Sequence, residues 1–171
     1  MGFRRRSVAP IHKSLRQPLA PIFPPETQTL IAKGERRMTV QEVIDSYYDC
    51  VNRGDWQQWL TLFSDEVVGD EQLAGHFDGI SVLRGAIDGI RSGYKVFQMH
   101  PQHMVIDGDA AVVVWHFEGQ NSHGVPIAYP GDANREVIGA NYFQVEGGQI
   151  VYMRTIHDSL PFQPFLDQRQ Q

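Results

Sequence analysis

The stretch TVQEVIDSYYDCVNRGDWQQWLTLF, residues 39–63, decides the fold class. Val40, Val43, Ile44, Tyr47 and Val51 recur at steps of three, one, three and four, which lines one apolar face along a helix. Thr39 stands at the helix start, and Glu42 three residues on completes a capping box. Gly54 ends that helix and Asp55 caps the next, in which Trp56, Trp59, Leu60 and Phe63 repeat at helical spacing. Two amphipathic helices joined by a tight turn therefore open the ordered part of the chain.

Downstream, residues 65–71 read as a short strand running into a polar loop. A third helix follows around Ser81–Tyr94, with Val82, Leu83, Ala86, Ile87 and Ile90 apolar. The pattern then changes to strands. His103–Ile106 leads into an Asp107-Gly108-Asp109 turn, and Ala110–Glu118 is rich in β-branched and aromatic residues. After a loop with Gly124, Pro126, Pro130 and Gly131, Arg135–Val145 and Ile150–His157 form a hairpin across Gly147-Gly148. Helices first and a long antiparallel sheet afterwards argue for an α+β fold, about three N-terminal helices packed on one face of a curved, cone-shaped sheet. The open end of such a cone is a natural pocket for a small molecule.

Composition bounds the rest. Hydrophobic residues make up 42% of 171, enough for one core, and no apolar run approaches the roughly 18 residues a membrane span needs. Arg4, Arg5 and Arg6 are followed by no apolar stretch before Pro10, so a secretory signal is not expected. Cys50 is the single cysteine, which excludes an internal disulfide and makes a reducing, cytoplasmic location the default expectation. Residues 1–37 carry eight basic side chains against Glu26 and Glu35, a net of +6, so the remainder holds −11 of the formal −5. An acidic body does not suit nucleic acid, which needs clustered Lys and Arg. Residues 1–38, with five prolines and no apolar periodicity, are expected to form a flexible basic arm outside a domain spanning 39–171. That arm reads as a solvated tail or as a tether to an anionic partner.

Several short motifs add a resemblance. Val51-Asn52-Arg53-Gly54-Asp55-Trp56, Leu62-Phe63-Ser64-Asp65-Glu66-Val67, Val105-Ile106-Asp107-Gly108-Asp109-Ala110-Ala111-Val112 and Tyr142-Phe143-Gln144-Val145-Glu146-Gly147-Gly148-Gln149-Ile150 resemble, in order and spacing, the nuclear transport factor two-like superfamily. The likeness is to its SnoaL-like and ketosteroid-isomerase-like branches. It implies a cystatin-like fold and, on one side, a cofactor-independent isomerase, polyketide cyclase or dehydratase acting on a hydrophobic carbonyl-bearing substrate. On the other side stands a non-catalytic ligand-binding or interaction module. It also implies a homodimer through the open sheet face. Fold alone does not choose between these.

The same resemblance nominates residues. Asp158, eight residues after Ile150, falls where SnoaL-like cyclases carry an acid/base aspartate; its plainer reading is a turn cap before Pro161. A carboxylate in that role needs a pKa raised by partial burial. Counted from Asp55, Glu71 falls where ketosteroid isomerases hold their base, with Asp70 beside it. Tyr47 corresponds to the tyrosine that stabilises the oxyanion there, while also belonging to the first helix's apolar stripe. The second oxyanion donor of those isomerases, a strand aspartate, is missing, and Asn141 is the candidate substitute. His103, near His100, is similar in place to a pocket histidine of scytalone dehydratase. Trp59, Trp115 and Tyr142 are candidate walls of an apolar substrate pocket. His157 and its neighbour Asp158 should face opposite sides of a strand and form no dyad. No metal site is expected, since no histidine pair has zinc-hydrolase spacing, and no cofactor, since the chain has no phosphate-binding glycine loop. A Gly-x-Ser-x-Gly nucleophile elbow is absent too.

Overall fold

The capping box at Thr39 starts the first helix as its spacing requires. In a computed structural model, which describes residues 36–163, the Thr39 hydroxyl accepts from the Glu42 N–H at 3.3 Å, and the Glu42 carboxylate accepts from the Thr39 N–H at 2.8 Å. Residues 1–35 of the expected arm, and the tail beyond 163, lie outside the described residues. Helix α1 spans Val40–Arg53 and buries Val43, Ile44, Tyr47, Tyr48, Cys50 and Val51. Gly54 closes it at φ 68°, a left-handed conformation that costs a Cβ-bearing residue dearly, with its N–H turned back to Cys50 and Val51. The short α2 (Trp56–Thr61), capped by Asp55, buries Trp56 and Trp59.

Beyond α2 the chain forms β1 (Phe63–Glu71), β2 (Gly75–Asp78), α3 (Ile80–Gly93), β3 (Tyr94–Asp107), β4 (Ala110–Asn121), β5 (Val137–Glu146) and β6 (Gln149–His157). A single 3-10 turn, Leu160–Phe162, follows. The strands build one six-stranded sheet in the order β2-β1-β6-β5-β4-β3. This is the α+β arrangement expected, three helices on one face of a curved sheet. Four of its five pairings are antiparallel; β1 and β6 run parallel, with Gly69 opposite Met153 and Glu71 opposite Thr155.

Strand alternation decides which side chains meet the helices. Ala111, Val113, Trp115 and Phe117 of β4, and Val137, Asn141, Phe143 and Val145 of β5, are buried on the inner face. Their neighbours Val112, Ile138 and Tyr142 are exposed on the outer one. Tyr47 fixes α1 to this sheet, its ring 5.0 Å from Phe143 and 5.7 Å from Trp59. Burying one such ring removes about 150–250 Å² from water, roughly 4–6 kcal/mol before the entropy of ordering it.

Two elements exceed their sequence reading. β3 begins at Tyr94, where the spacing suggests the third helix is ending, and runs through Pro101. It is an edge strand, where the missing proline N–H costs little, and its register shifts between Pro101 and His103. β1 continues through Asp70 and Glu71, read above as loop, because β6 supplies pairing from 84 residues away. Among the described residues no helix is long and apolar enough to cross a membrane.

Candidate functional site

The C-terminal ends of β1 and β6 lie side by side, and both present a titratable group to the inner face. Glu71 Oε1 is 2.8 Å from His157 Nε2; the imidazole side chain is 6% exposed and the carboxylate 27%. His157 Nδ1 lies 3.1 Å from the backbone carbonyl of Asp158. A carbonyl only accepts, so Nδ1 carries a proton, and the pair then shares one more between Nε2 and Oε1. Burial pushes the Glu71 carboxyl up, yet the bonds from His157 and from the Ala74 and Leu73 N–H groups hold it below its ordinary value. Burial lowers the imidazole, but the Glu71 bond and the Asp158 carbonyl raise it above its ordinary value. An imidazolium–carboxylate pair results, able to give one proton and take one back.

Asn141 forms the centre of a second group. Fully buried, it accepts from the Trp115 indole N–H and, at 3.4 Å, from the Tyr48 hydroxyl, while its amide donates to Thr155 Oγ1 at 2.8 Å. Thr155 sits opposite Glu71 in the parallel ladder, which links the two groups. Trp115 can lie flat because Gly139 beneath it has no side chain; a Cβ there would collide with the ring. The indole centre is 6.3 Å from His157. Deeper in the core, Trp59 Nε1 is buried without a hydrogen-bond partner among the described residues. The Tyr47 hydroxyl interacts with that indole without completing a bond, and its ionisation is opposed by burial and then by the Glu71 charge.

Of the residues nominated from sequence, Glu71, Asn141 and Trp115 share this inner face, and Tyr47 and Trp59 pack against it from α1 and α2. Four do not, and each has a physical reason. Asp158 is exposed; its carboxylate accepts from the Leu160 N–H at 2.9 Å and caps the 3-10 turn. That bond, with help from Tyr129 and Arg135, holds it below its ordinary value and ties it to the turn, in solvent, away from the inner face. Asp70 faces outward, where Arg154 and Tyr152 donate to it at 2.8 Å and His76 lies at 3.0 Å; the Arg154 bond first among these keeps it well below the carboxylate range. Tyr142 points outward because Asn141 points inward, and its hydroxyl donates to Gln144. His103 lies exposed opposite Val114 on the outer face, beyond the bulge at Pro101.

His157 is the residue the sequence reading passed over. It points inward from the last residue of β6 and meets Glu71, while Asp158, past the end of the strand, caps the turn that follows. The signal that finds it is the parallel register, which no local pattern carries. His100 and His116 stack at 4.6 Å on the outer sheet face, and among the described residues no three His, Cys, Asp or Glu side chains are placed to hold a metal. Two surface grooves of about 380 and 430 Å³ flank Trp56, one beside α3 and one beside the start of β3; neither includes Glu71 or His157.

Residues 44–153 match the family model of the SnoaL-like domain, and the chain belongs to that family. Among solved structures, it is similar to a nuclear transport factor two-like protein of unknown function from Burkholderia pseudomallei: 15% identity, 71% of this chain and 93% of that one, TM-score 0.62. It is similar too to TerC, crystallised with polyporic acid: 16% identity, 75% and 98% covered, TM-score 0.63. A protein of unknown function with a cystatin-like fold from Xanthomonas campestris aligns at 19% identity over 75% and 97%, TM-score 0.61. These identities show the fold. Among curated proteins none matches the chain.

Proposed function

We propose that the chain is a cofactor-independent SnoaL-like isomerase, cyclase or dehydratase, acting on a small hydrophobic molecule that bears a carbonyl. The observation that carries this reading is the half-buried Glu71–His157 pair on the inner face. In the proposed reaction His157 passes its Nε2 proton to a substrate oxygen, and Glu71, left negative, takes a proton from the carbon beside the carbonyl. One proton is delivered and one removed, so no redox partner enters. The unpartnered Trp59 N–H and the Tyr47 hydroxyl are donors for a developing oxyanion, and Trp115 walls the ring of the substrate. Asn141 acts at one remove, holding Trp115 and Thr155 in place. The outer face, with exposed Val105, Val112, Ile138 and Ile156, is the proposed homodimer surface.

A non-catalytic ligand-binding module of the same fold is the second reading. It is favoured by Asn141, whose oxygen and amide are engaged within the protein. The test is a panel of ring-bearing ketones and hydroxyketones, with polyporic acid included because TerC was crystallised with it. Turnover that falls at least about a hundredfold in Glu71→Gln and in His157→Asn supports the acid/base role. Turnover unchanged in both variants refutes it, and ligand capture without turnover favours the binding module.

A further inference from the structure

The inner face beside His157 is not empty. Phe162, 5% exposed, lies with its ring 4.9 Å from the His157 ring and 5.5 Å from the Phe117 ring. Beneath it two aromatic rings lie down against the sheet and form a tray. Trp115 lies over Gly139 and Phe117 over Gly119, and a Cβ at either glycine would strike the ring above it. One edge of this tray is polar: the imidazole that shares a proton with Glu71. Phe162 fills the apolar volume and makes no use of that edge.

The segment carrying Phe162 is a three-residue turn shaped by local bonds. Asp158 accepts from the Leu160 N–H, and the Phe162 N–H donates to the Ser159 carbonyl at 3.0 Å. It belongs to no strand, so it can swing away without opening the sheet ladder. We propose that Phe162 is a resident occupant of the ligand seat, displaced by a planar aromatic molecule whose hydroxyl or carbonyl oxygen meets the Glu71–His157 pair and enters its hydrogen bond. This rests on the Glu71–His157 reading and adds to it a substrate class and a residue that sets affinity.

An occupant that blocks the seat most of the time weakens binding by the fraction of molecules left open. The test compares wild type, Phe162→Ala and Phe162→Leu, each confirmed folded by circular dichroism, for binding of 2-naphthol and naphthalene by ligand fluorescence. Histidine signals are followed by NMR. Phe162→Ala is expected to bind 2-naphthol about tenfold tighter than wild type or better, with Phe162→Leu between them. Naphthol should bind tighter than naphthalene, and the His157 signal should shift. Equal affinity in wild type and Phe162→Ala, with the His157 shift present, overturns the displacement and leaves the acid/base reading standing. Tighter binding with no change at His157 overturns the seat, and so does the absence of binding in every variant. The acid/base reading is judged separately, by the turnover of the Glu71 and His157 variants.

Discussion

Replacing Asn141 with leucine keeps the side-chain size and removes every polar atom at the centre of the inner face. The consequences can be worked from its partners. The Trp115 indole N–H loses its acceptor in a site where both residues are buried. An orphaned buried donor costs about 1–3 kcal/mol. The Tyr48 hydroxyl, 3% exposed, loses a bond that is long at 3.4 Å, and adds roughly 0.5–1 kcal/mol. Thr155 keeps a hydroxyl that can turn to another acceptor, so its loss is smaller. Added apolar burial offsets about 1 kcal/mol. A net destabilisation of roughly 0.5–3 kcal/mol follows, seen as a lower urea midpoint at unchanged m-value. The companion measurement is the double variant Asn141→Leu, Trp115→Phe, which removes the orphan together with its acceptor. Coupling of about 1–2 kcal/mol between the two sites is expected. A single variant within about 0.5 kcal/mol of wild type would show that the polar centre contributes nothing to stability, and the reasoning from buried satisfaction would fail.

Three further outcomes are expected. Glu71 titrates below its ordinary 4.5 and His157 above its ordinary 6.5, so their pair stabilises the fold fully between those pH values. The His157 share is lost as pH rises through its raised folded value, and the Glu71 share as pH falls through its lowered one. Urea midpoints of wild type minus Glu71→Gln should therefore peak in that window, and a pH-independent difference from pH 4 to 9 would contradict the pairing. Gly139→Val must push aside the Trp115 ring and the Ile156 carbonyl, costing about 2 kcal/mol or more by urea unfolding; a neutral result would mean the ring does not lie there. Ile138→Glu on the outer face should convert a dimer to monomer in analytical ultracentrifugation without changing far-UV circular dichroism, whereas a wild type already monomeric removes the dimer proposal.

How far the sequence reached depended on the range of the interaction involved. Local signals were enough for α1, where the Thr39–Glu42 box and the Gly54 cap are both realised. Period-two alternation was enough for β4 and β5, and applied strictly it would have sent Tyr142 outward once Asn141 was taken inward. Asp158 was assigned by its spacing from Ile150, but whether a strand-end carboxylate faces a pocket or caps the next turn depends on the Leu160 N–H, two residues on. Glu71 was found by counting from Asp55, although its strand was read as loop. Its partner His157 was not found, because the two are joined by a parallel register across 86 residues. Edge strands hid for a related reason: β3 carries Pro101 and outward polar residues, so its pattern is weak until β4 is set beside it.

The parallel contact of β1 with β6 also sets an order of events. The β1–β2 hairpin can close early, and β3 through β6 pair with sequence neighbours, but β1 has no central partner until the last strand has been made. Closing that long loop is the slow, non-local step of such a topology. The carboxylate and the imidazole belong to the two strands that meet in that step. A chain released short of β6, or caught before it docks, has no proton pair at all. On the proposed acid/base reading, activity is thereby coupled to the completion of the sheet, and its recovery during refolding would report that final pairing directly.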